Sequence, residues 1–413
     1  MTQDPSNFLS TAATIGDALC REALWWGDRC TWLGDDLIGE EEAYLVHRTV
    51  GGSLYTGTAG IALFLARLAF VNGERLHADT ARGAITQALR EVETAEELRL
   101  KGLFGGRAGV ACASVVVGEC LDDTGLAEAG HGLLRALARE ETNGWTETDV
   151  MYGRAGAIVA ALSVSRRFSD DALLAWAREL GEQLLRDAKR EETGWSWPEK
   201  PDEPGMNGFS HGVAGVAWAL GELARSCGEE QFFHAAREAT RYEQRWFDAD
   251  VSNWRDLFPE YMADASRPPE YSLSWCHGAP GIALSRLRLW ELFRDPAHRE
   301  EARLALSTTA EALRTEVESE TRNFSLCHGL AGNAEALIIA SHTFGDEGMM
   351  RAAREIGLKG IENYAESEES WPCGVNNADA WSPSLMLGWA GTGYFYLRLH
   401  DPRVTPSVLL LDC

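Results

Sequence analysis

The chain has 413 residues, of which 45% are hydrophobic, so it can bury a core in one large domain or in several smaller ones. Its formal net charge of −25 at pH 7 excludes the cationic surface that nucleic-acid binding requires, and it disfavours docking on an anionic membrane. An acidic exterior favours solubility and contact with basic partners.

The N-terminal residues, Met1 to Asn7, do not combine a basic stretch with an apolar one, so we expect no signal peptide. No apolar run reaches membrane-spanning length. The nine cysteines lack the density of a disulfide scaffold, and we therefore expect reduced thiols in a cytoplasmic protein. The segment from Met1 to about Glu40 is predicted to form an outer helix ahead of the first repeat.

A glycine motif, Gly-x-(Ala/Pro)-Gly, recurs seven times along the chain, and successive copies begin 47 to 66 residues apart. A bare Gly-x-x-Gly is weak evidence, but the regular spacing and the apolar stretch that follows each copy make this one informative. The copies are Gly57–Gly60, Gly106–Gly109, Gly153–Gly156, Gly212–Gly215, Gly278–Gly281, Gly329–Gly332 and Gly388–Gly391.

The stretch after each motif is small and apolar nearly all round, which is typical of a helix packed on both sides. A more charged amphipathic stretch follows, as in Thr80–Glu97, Asp170–Lys189 and Arg299–Ser319. This alternation predicts an all-α fold in which seven inner and seven outer helices close into an α/α toroid. Because no Pro/Gly/Ser-rich linker divides the chain, we interpret residues 1–413 as a single domain.

Six side chains that can carry chemistry stand just ahead of these motifs: Asp149, His211, Cys276, His277, Cys327 and His328. Each cysteine lies two residues before the first glycine of its motif, and each histidine lies one residue before it. Since equivalent positions in a closed repeat ring lie at the same end, we expect all six on one rim. Two thiols and an imidazole suit zinc, and three protein ligands leave a fourth position open.

The seven motifs, with Trp275-Cys276-His277-Gly278 and Cys327-His328-Gly329, resemble the lanthionine synthetase C-like family, the lanthipeptide cyclases. The opening Asp28–Gly34 resembles the cyclase half of the large bifunctional synthetases. Because the dehydratase half is absent from this sequence, the chain looks like a free-standing cyclase. The resemblance implies a seven-fold toroid that holds one zinc ion through Cys276, Cys327 and His328. It also implies that Asp149 and His211 lie near the metal.

Two positions depart from the family pattern. Some members carry an arginine shortly before the Trp-Cys pair, where residues 271–274 here read Tyr-Ser-Leu-Ser. His277 stands where some members have tyrosine. The arginine's role is therefore unfilled here or is taken by another residue.

The resemblance implies that the chain adds peptide cysteine thiols to dehydroalanine or dehydrobutyrine in a dehydrated precursor peptide, forming thioether rings. His211 is the best candidate general acid, because imidazole titrates near neutral pH. Asp149 either orients that histidine or accepts the thiol proton, and His277 is a second acid or a supporting residue. The missing dehydratase half implies a separate dehydratase or kinase-lyase as partner.

Other interpretations stay open. Asp149 could simply cap a helix, His277 could be a packing residue, and Cys373 in Trp-Pro-Cys-Gly is predicted to be structural. The chain could also be a non-catalytic peptide-binding or partner-binding relative, or it could add glutathione to dehydrated residues. A carbohydrate-active barrel ranks last, because no acidic pair repeats in the rim register.

The longer spacers, Phe247–Ser274 and Ser367–Leu387, are predicted to form loops over one mouth of the barrel. They are rich in Trp, Pro, Asn and Asp. Five tryptophans are expected near that mouth, where they would suit a flexible peptide: Trp145, Trp195, Trp254, Trp371 and Trp381.

Overall fold

The computed structural model describes residues 5–38, 44–141, 145–262, 266–319, 323–365, 370–375 and 380–411. Within these ranges the chain is mainly helical, as predicted. In chain order the helices are α1 Pro5–Glu22, α2 Thr58–Asn72, α3 Arg75–Glu91, α4 Arg107–Cys120, α5 Thr124–Leu137, α6 Arg154–Phe168, α7 Asp171–Asp187, α8 Val213–Cys227, α9 Glu230–Gln244, the single turn α10 Pro259–Met262, α11 Ala279–Phe293, α12 Pro296–Glu316, α13 Leu330–Phe344, α14 Glu347–Gly360 and α15 Trp389–His400.

The inner ring consists of α2, α4, α6, α8, α11, α13 and α15, and each of these helices contacts the next. The ring closes where α15 packs against α2. Each inner helix also pairs with the outer helix that follows it, except that α15 pairs with α1 from the beginning of the chain. The predicted α/α toroid of seven inner and seven outer helices is confirmed.

The two rings differ as their sequences predict. Helix α2 buries nearly every side chain along Thr58–Ala69, because Ala, Gly and Leu allow close packing against neighbours on both sides. Helix α3 is amphipathic and buries only the stripe that faces α2. Among the helices in the described ranges, none has both the length and the apolar character that crossing a membrane requires.

The prediction for the N-terminal segment was right only in part. An outer helix spans Pro5–Glu22, but the chain then forms two antiparallel hairpins instead of continuing as helix. Gly27 adopts a positive φ of 65° between β1 and β2, and the aromatic and β-branched residues around it favour strands. Met1–Asp4, Gly39 and Glu40 lie outside the described residues. The strands of the chain are β1 Leu24–Trp26, β2 Arg29–Thr31, β3 Leu33–Ile38, β4 Tyr44–Thr49, β5 Lys189–Glu191, β6 Gly194–Ser196, β7 Phe247–Asp248 and β8 Asn253–Trp254.

Candidate metal centre

A closed ring of backbone hydrogen bonds, here called the rim belt, runs around the end of the barrel where the inner helices begin. In every repeat, the residue two places before the first motif glycine accepts a hydrogen bond at its carbonyl from the preceding repeat, with N···O distances of 2.9 to 3.4 Å. The belt passes in order through Tyr55, Phe104, Met151, Ser210, Cys276, Cys327 and Met386, and Met386 N closes it on the Tyr55 carbonyl. The two cysteines are therefore hydrogen-bonded neighbours.

The second glycine of each motif lets the belt lie tightly on the helices. A Cβ atom added there would lie between 1.7 Å (at Gly109) and 2.3 Å (at Gly60) from the carbonyl oxygen of the residue six places earlier. No real Cβ tolerates such a contact, so the turn requires glycine. The motif thus encodes a close turn that presents the preceding residues at the rim.

Cys276, Cys327 and His328 form one compact group. The possible ligand atoms of these three residues all lie within 4.8 Å of one another. A tetrahedral zinc ion with bonds of about 2.1 to 2.3 Å separates its ligand atoms by roughly 3.5 to 3.8 Å, so the spacing fits that ion after small side-chain adjustments. Sulfur and nitrogen donors are also the set that zinc prefers.

The pKa values of these three side chains favour a negative charge on Cys276 with protons held beside it on Cys327 and His328. The hydrogen bond from Cys327 holds the pKa of the Cys276 thiol well below its usual value, despite burial. The hydrogen bond to Cys276 and burial raise the pKa of Cys327, which keeps its proton. Burial opposes the charged form of His328, but the hydrogen bond and charge of Cys276, together with the hydrogen bond to the Gly374 carbonyl, outweigh burial and raise its pKa. A dication would displace the protons on Cys327 and His328.

The orientation of His328 is set by a backbone carbonyl outside the motif. Its Nε2 lies 2.8 Å from the Gly374 oxygen, which can only accept a hydrogen bond, so Nε2 carries a hydrogen. The other ring nitrogen, Nδ1, is then the one that hydrogen-bonds Cys276. This is the arrangement in which histidine offers a lone pair to a metal ion.

Asp149 and His211 form a second group on the same rim. Asp149 Oδ2 lies 2.6 Å from His211 Nδ1, while Asp149 Oδ1 accepts hydrogen bonds from the backbone N–H groups of Tyr152 (2.7 Å) and Gly153 (2.9 Å). One carboxylate therefore both caps the turn ahead of α6 and orients the imidazole. Burial disfavours the charged form of His211, but the hydrogen bond and charge of Asp149 outweigh it and raise the pKa of His211.

The loop that carries His211 is anchored by a buried ion pair. The Gly208 N–H donates to Glu243 Oε1 over 3.1 Å, and Glu243 pairs with Arg286 over 2.8 Å; both charged side chains are fully buried. Gly208 has a φ of +101°, and a Cβ there would lie 2.7 Å from the Cys276 carbonyl oxygen. This loop therefore seats His211 directly against the repeat that carries Cys276.

His277 is buried beside His211. Its Nδ1 lies 3.3 Å from the Asn207 carbonyl oxygen, and its ring packs against Phe258 with a centroid distance of 4.5 Å. The rings of His211 and His277 are nearly parallel, with centroids 6.3 Å apart. The structure thus brings His277 to the second group, where both packing and proton transfer are open to it.

The residues at the missing arginine position have other partners. Ser274 Oγ lies 3.3 Å from Cys276 Sγ and 3.1 Å from the His277 carbonyl oxygen. Ser272 donates to the buried Asp256 carboxylate over 2.6 Å. Hydroxyl groups therefore occupy the space ahead of Trp275.

An open cleft of about 390 Å³ leads to His211 and Asp149. Its wall includes the carboxylates of Glu147, Glu199 and Glu203. Of the five tryptophans expected near the mouth, Trp254 and Trp371 are buried, with 1% and 7% of their surface exposed. Both pack into aromatic clusters, which large rings favour over solvent.

Sequence reasoning missed Tyr55, Glu243 and Gly374. Tyr55 occupies the same belt position as the two cysteines, and its hydroxyl hydrogen-bonds the Cys327 sulfur. That shared register was a usable signal. Glu243 and Gly374 lie outside the motif, and the contact of Gly374 is made by its backbone, so no side-chain pattern marks them. Cys373 donates to the Ala380 carbonyl oxygen over 3.1 Å.

Comparison with known proteins gives a consistent result. The family model described as lanthionine synthetase C-like protein matches residues 48–410. A zebrafish (Danio rerio) relative named glutathione S-transferase LANCL1 is 22% identical over 84% of this chain and 82% of its own length. The Lactococcus lactis subsp. lactis protein named lacticin 481/lactococcin biosynthesis protein LcnDR2 is 26% identical over 49% of this chain, but only 21% of that larger protein is covered.

Two solved structures share the architecture. The structure of a protein named nisin cyclase superposes with a TM-score of 0.65 at 17% identity, covering 87% of this chain and 91% of the other. A GH76 α-mannanase from Bacteroides thetaiotaomicron gives 0.52 at 9% identity, covering 97% and 96%. At these identities both likenesses speak for the barrel fold alone.

Proposed function

The chain belongs to the lanthionine synthetase C-like family, and on that premise we propose that it is a zinc-dependent cyclase that forms lanthionine and methyllanthionine rings in a dehydrated precursor peptide. The observation that carries the proposal is the group of two thiols and one imidazole within 4.8 Å, with the Asp149–His211 pair on the same rim. The family match over residues 48–410 and the likeness to a protein named lacticin 481/lactococcin biosynthesis protein LcnDR2 support this proposal.

Cys276, Cys327 and His328 would hold the zinc ion. When bound, zinc supplies the Lewis acidity that converts a peptide thiol, whose ordinary pKa is about 8.5, to thiolate at neutral pH. Three protein ligands would leave one coordination position for the substrate. Gly374, through its carbonyl, keeps the His328 ring in the orientation that this role needs.

His211 is assigned the proton transfer. The peptide sulfur attacks the β-carbon of dehydroalanine or dehydrobutyrine, a C–S bond forms, and the electron pair of the C=C bond moves toward the α-carbon. His211 donates a proton from Nε2 to the α-carbon, because Nδ1 is engaged by Asp149. The thiol releases its proton to solvent, and His211 afterwards takes up a proton from solvent. The product therefore contains the same atoms as the starting peptide. The hydrogen bond and charge of Asp149 help to raise the pKa of His211 against burial, which increases the fraction of its acid form at a given pH.

His277 is assigned a supporting place beside that acid. With Nδ1 directed at the Asn207 carbonyl, its Nε2 is the nitrogen left for a second proton donation or for contact with the substrate. A His277→Phe variant separates these roles from packing. If His277 only packs, the variant turns over at the parent rate.

The test uses a model peptide with one cysteine and one dehydroalanine, incubated with the zinc-loaded protein. Because ring closure leaves the peptide mass unchanged, the product is treated with a thiol alkylator and its mass is measured by mass spectrometry. We expect the alkylatable thiol to disappear in the presence of the protein. A peptide that is still fully alkylated after incubation would contradict the cyclase proposal.

A second function, addition of glutathione to dehydrated residues, is favoured by the likeness to the zebrafish relative, which is named a glutathione S-transferase. It needs the same metal group and the same proton donor, so only the substrate differs. A dehydroalanine peptide without cysteine, offered together with glutathione, discriminates between them. A mass gain of one glutathione per peptide supports this second function, while a non-catalytic relative would give neither product.

A further inference from the structure

The segment Trp371–Val375, here called the strap, lies outside the seven repeats and is held firmly against the rim. The Trp371 ring packs against Phe324, Tyr364 and Tyr396, with ring centroids 5.2 to 5.4 Å away. Trp371 is also buried, so this end of the strap is an anchored element and not an open mouth loop. The anchor residue comes from the Trp-Pro-Cys-Gly stretch at 371–374, in which only the Gly374 carbonyl has a place in the proposed chemistry.

Hydrogen bonds fix each further residue of the strap through Gly374. The Trp371 carbonyl accepts a hydrogen bond from Trp389 Nε1 over 3.3 Å, and the Pro372 carbonyl accepts one from Phe324 N over 3.1 Å. The Cys373 thiol and the Gly374 N–H donate to carbonyls at 3.1 and 2.6 Å, those of Ala380 and Leu387. A segment held at four successive residues, Trp371 to Gly374, can keep one carbonyl in a defined direction.

That carbonyl belongs to Gly374 and accepts the Nε2–H of His328 over 2.8 Å. The fit is close, because a Cβ atom on residue 374 would lie 2.9 Å from His328 Nε2 and 2.8 Å from Ser325 Oγ. The Ser325 hydroxyl is buried and has no hydrogen-bond partner among the residues that the structure describes, so it does not compete for the imidazole. The Gly374 carbonyl of the strap is thus the hydrogen-bond acceptor for His328 Nε2.

We propose that the strap is a positioning element of the metal centre, which fixes His328 with Nε2 protonated and Nδ1 directed at Cys276 and Cys327. The inference rests on the proposed function in one respect, that these three residues bind zinc. A free imidazole can carry its proton on either nitrogen, and only a nitrogen without a proton can bind a metal ion. By holding the proton on Nε2, the strap removes the competing tautomer and lowers the rate at which zinc is lost.

The test measures zinc release to a chromogenic chelator from the purified, zinc-loaded full chain. Trp371→Ala removes the anchor, and Gly374→Ala pushes the carbonyl away from the imidazole. Each variant has a matched control: Trp176→Ala removes another buried tryptophan, on outer helix α7, and Gly132→Ala adds a methyl where nothing lies within 4 Å. We expect zinc release about 10- to 100-fold faster in the two strap variants and at the parent rate in both controls.

A spectroscopic readout keeps the inference testable if a variant fails to fold. In zinc-loaded parent protein with ¹⁵N-labelled histidine, two-bond ¹H–¹⁵N correlations report which nitrogen of His328 carries the proton. Protonated Nε2 and metal-bound Nδ1 support the proposal, and the reverse overturns it. Parent-like release from Trp371→Ala and Gly374→Ala also overturns it while leaving zinc binding intact. A parent chain that binds no zinc overturns the proposed function as well.

Discussion

The two ends of the inner ring are formed by the same seven helices, but the charged side chains at the two ends differ. The helices begin at the rim, each after a motif glycine, which has no side chain that could cap the helix. The groups at the rim include the Cys276 thiol and the Asp149 carboxylate. At the opposite end the helices finish, and basic residues such as Arg166 and Arg398 stand in the last turns. Each arrangement matches the helix dipole, which favours anions at helix N-termini and cations at C-termini by roughly 0.3 to 1 kcal/mol per charge.

The ends also differ in what holds them. The rim is determined by backbone, because the rim belt closes regardless of whether the side chain is tyrosine, methionine, serine or cysteine. The opposite end is held by side chains: Arg398 pairs with buried Glu335 and donates to the carbonyls of Pro402 and Thr405. Val408, Leu409 and Leu411 of the segment after α15 are also buried. A backbone-determined rim permits changes of chemistry at the belt positions without loss of the fold.

The largest expected effect is the loss of zinc from the rim while the helical fold is kept. Cys276→Ala or Cys327→Ala removes a sulfur ligand, and we expect bound zinc to fall from about one per chain to about zero while the helical circular dichroism is kept. Elemental analysis measures the metal. Cys112→Ala, which changes a buried cysteine within inner helix α4, is the control and should keep its zinc. A full zinc complement in either ligand variant would show that these sulfurs are not ligands.

Next in size is the loss of the proton donor. His211→Ala should keep zinc but slow ring closure by about 10²- to 10⁴-fold, the usual contribution of a positioned general acid. Rates from the alkylation assay, together with zinc content, measure this. A variant that closes rings at the parent rate would remove His211 from the mechanism.

A variant at the opposite end should change stability without changing the metal site. Arg398→Met leaves the Glu335 carboxylate buried without its partner, which costs about 3 to 5 kcal/mol of unfolding free energy. Urea denaturation measures the loss, and zinc content should stay at the parent value. The double variant Arg398→Met/Glu335→Leu should recover part of it. Zinc loss in the single variant would mean that the two ends are coupled.

The smallest expected effect is on the free energy of unfolding at acid pH. His298 lies just after the α11–α12 turn, at the end away from the rim, and burial followed by the charge of Arg286 lowers its pKa to about 4. The other charged groups acting on it are Glu301, Asp295 and Arg237. An unfolded histidine binds its proton near pH 6.5, so this stability is complete above that pH and is lost as pH falls toward 4, by up to about 3 kcal/mol.

His298→Gln should therefore lose less stability than the parent between pH 7 and pH 4.5 in urea denaturation. At the rim the sign is reversed, because the raised pKa of His211 contributes stability at low pH that is lost as pH rises. Equal acid sensitivity in parent and variant would show that His298 does not govern this loss.

The seven motifs made the toroid predictable, since a repeated close turn followed by small apolar residues leaves few ways to pack. Their shared register also predicted that Cys276, Cys327, His328, His211 and Asp149 would meet. The strap was not predictable, because the contact between Gly374 and His328 spans 46 residues and is made by a backbone carbonyl. Nor was the burial of Trp371, which depends on aromatic partners from three separate segments.

The coordination of zinc in the purified protein is the decisive test of the proposed metal centre. X-ray absorption at the zinc K-edge resolves sulfur scatterers at about 2.3 Å from nitrogen or oxygen scatterers at about 2.0 to 2.1 Å. We expect one zinc ion per chain with two sulfurs and two lighter atoms, one of them an imidazole nitrogen. A protein that carries no zinc, or a zinc shell with fewer than two sulfurs, would contradict it.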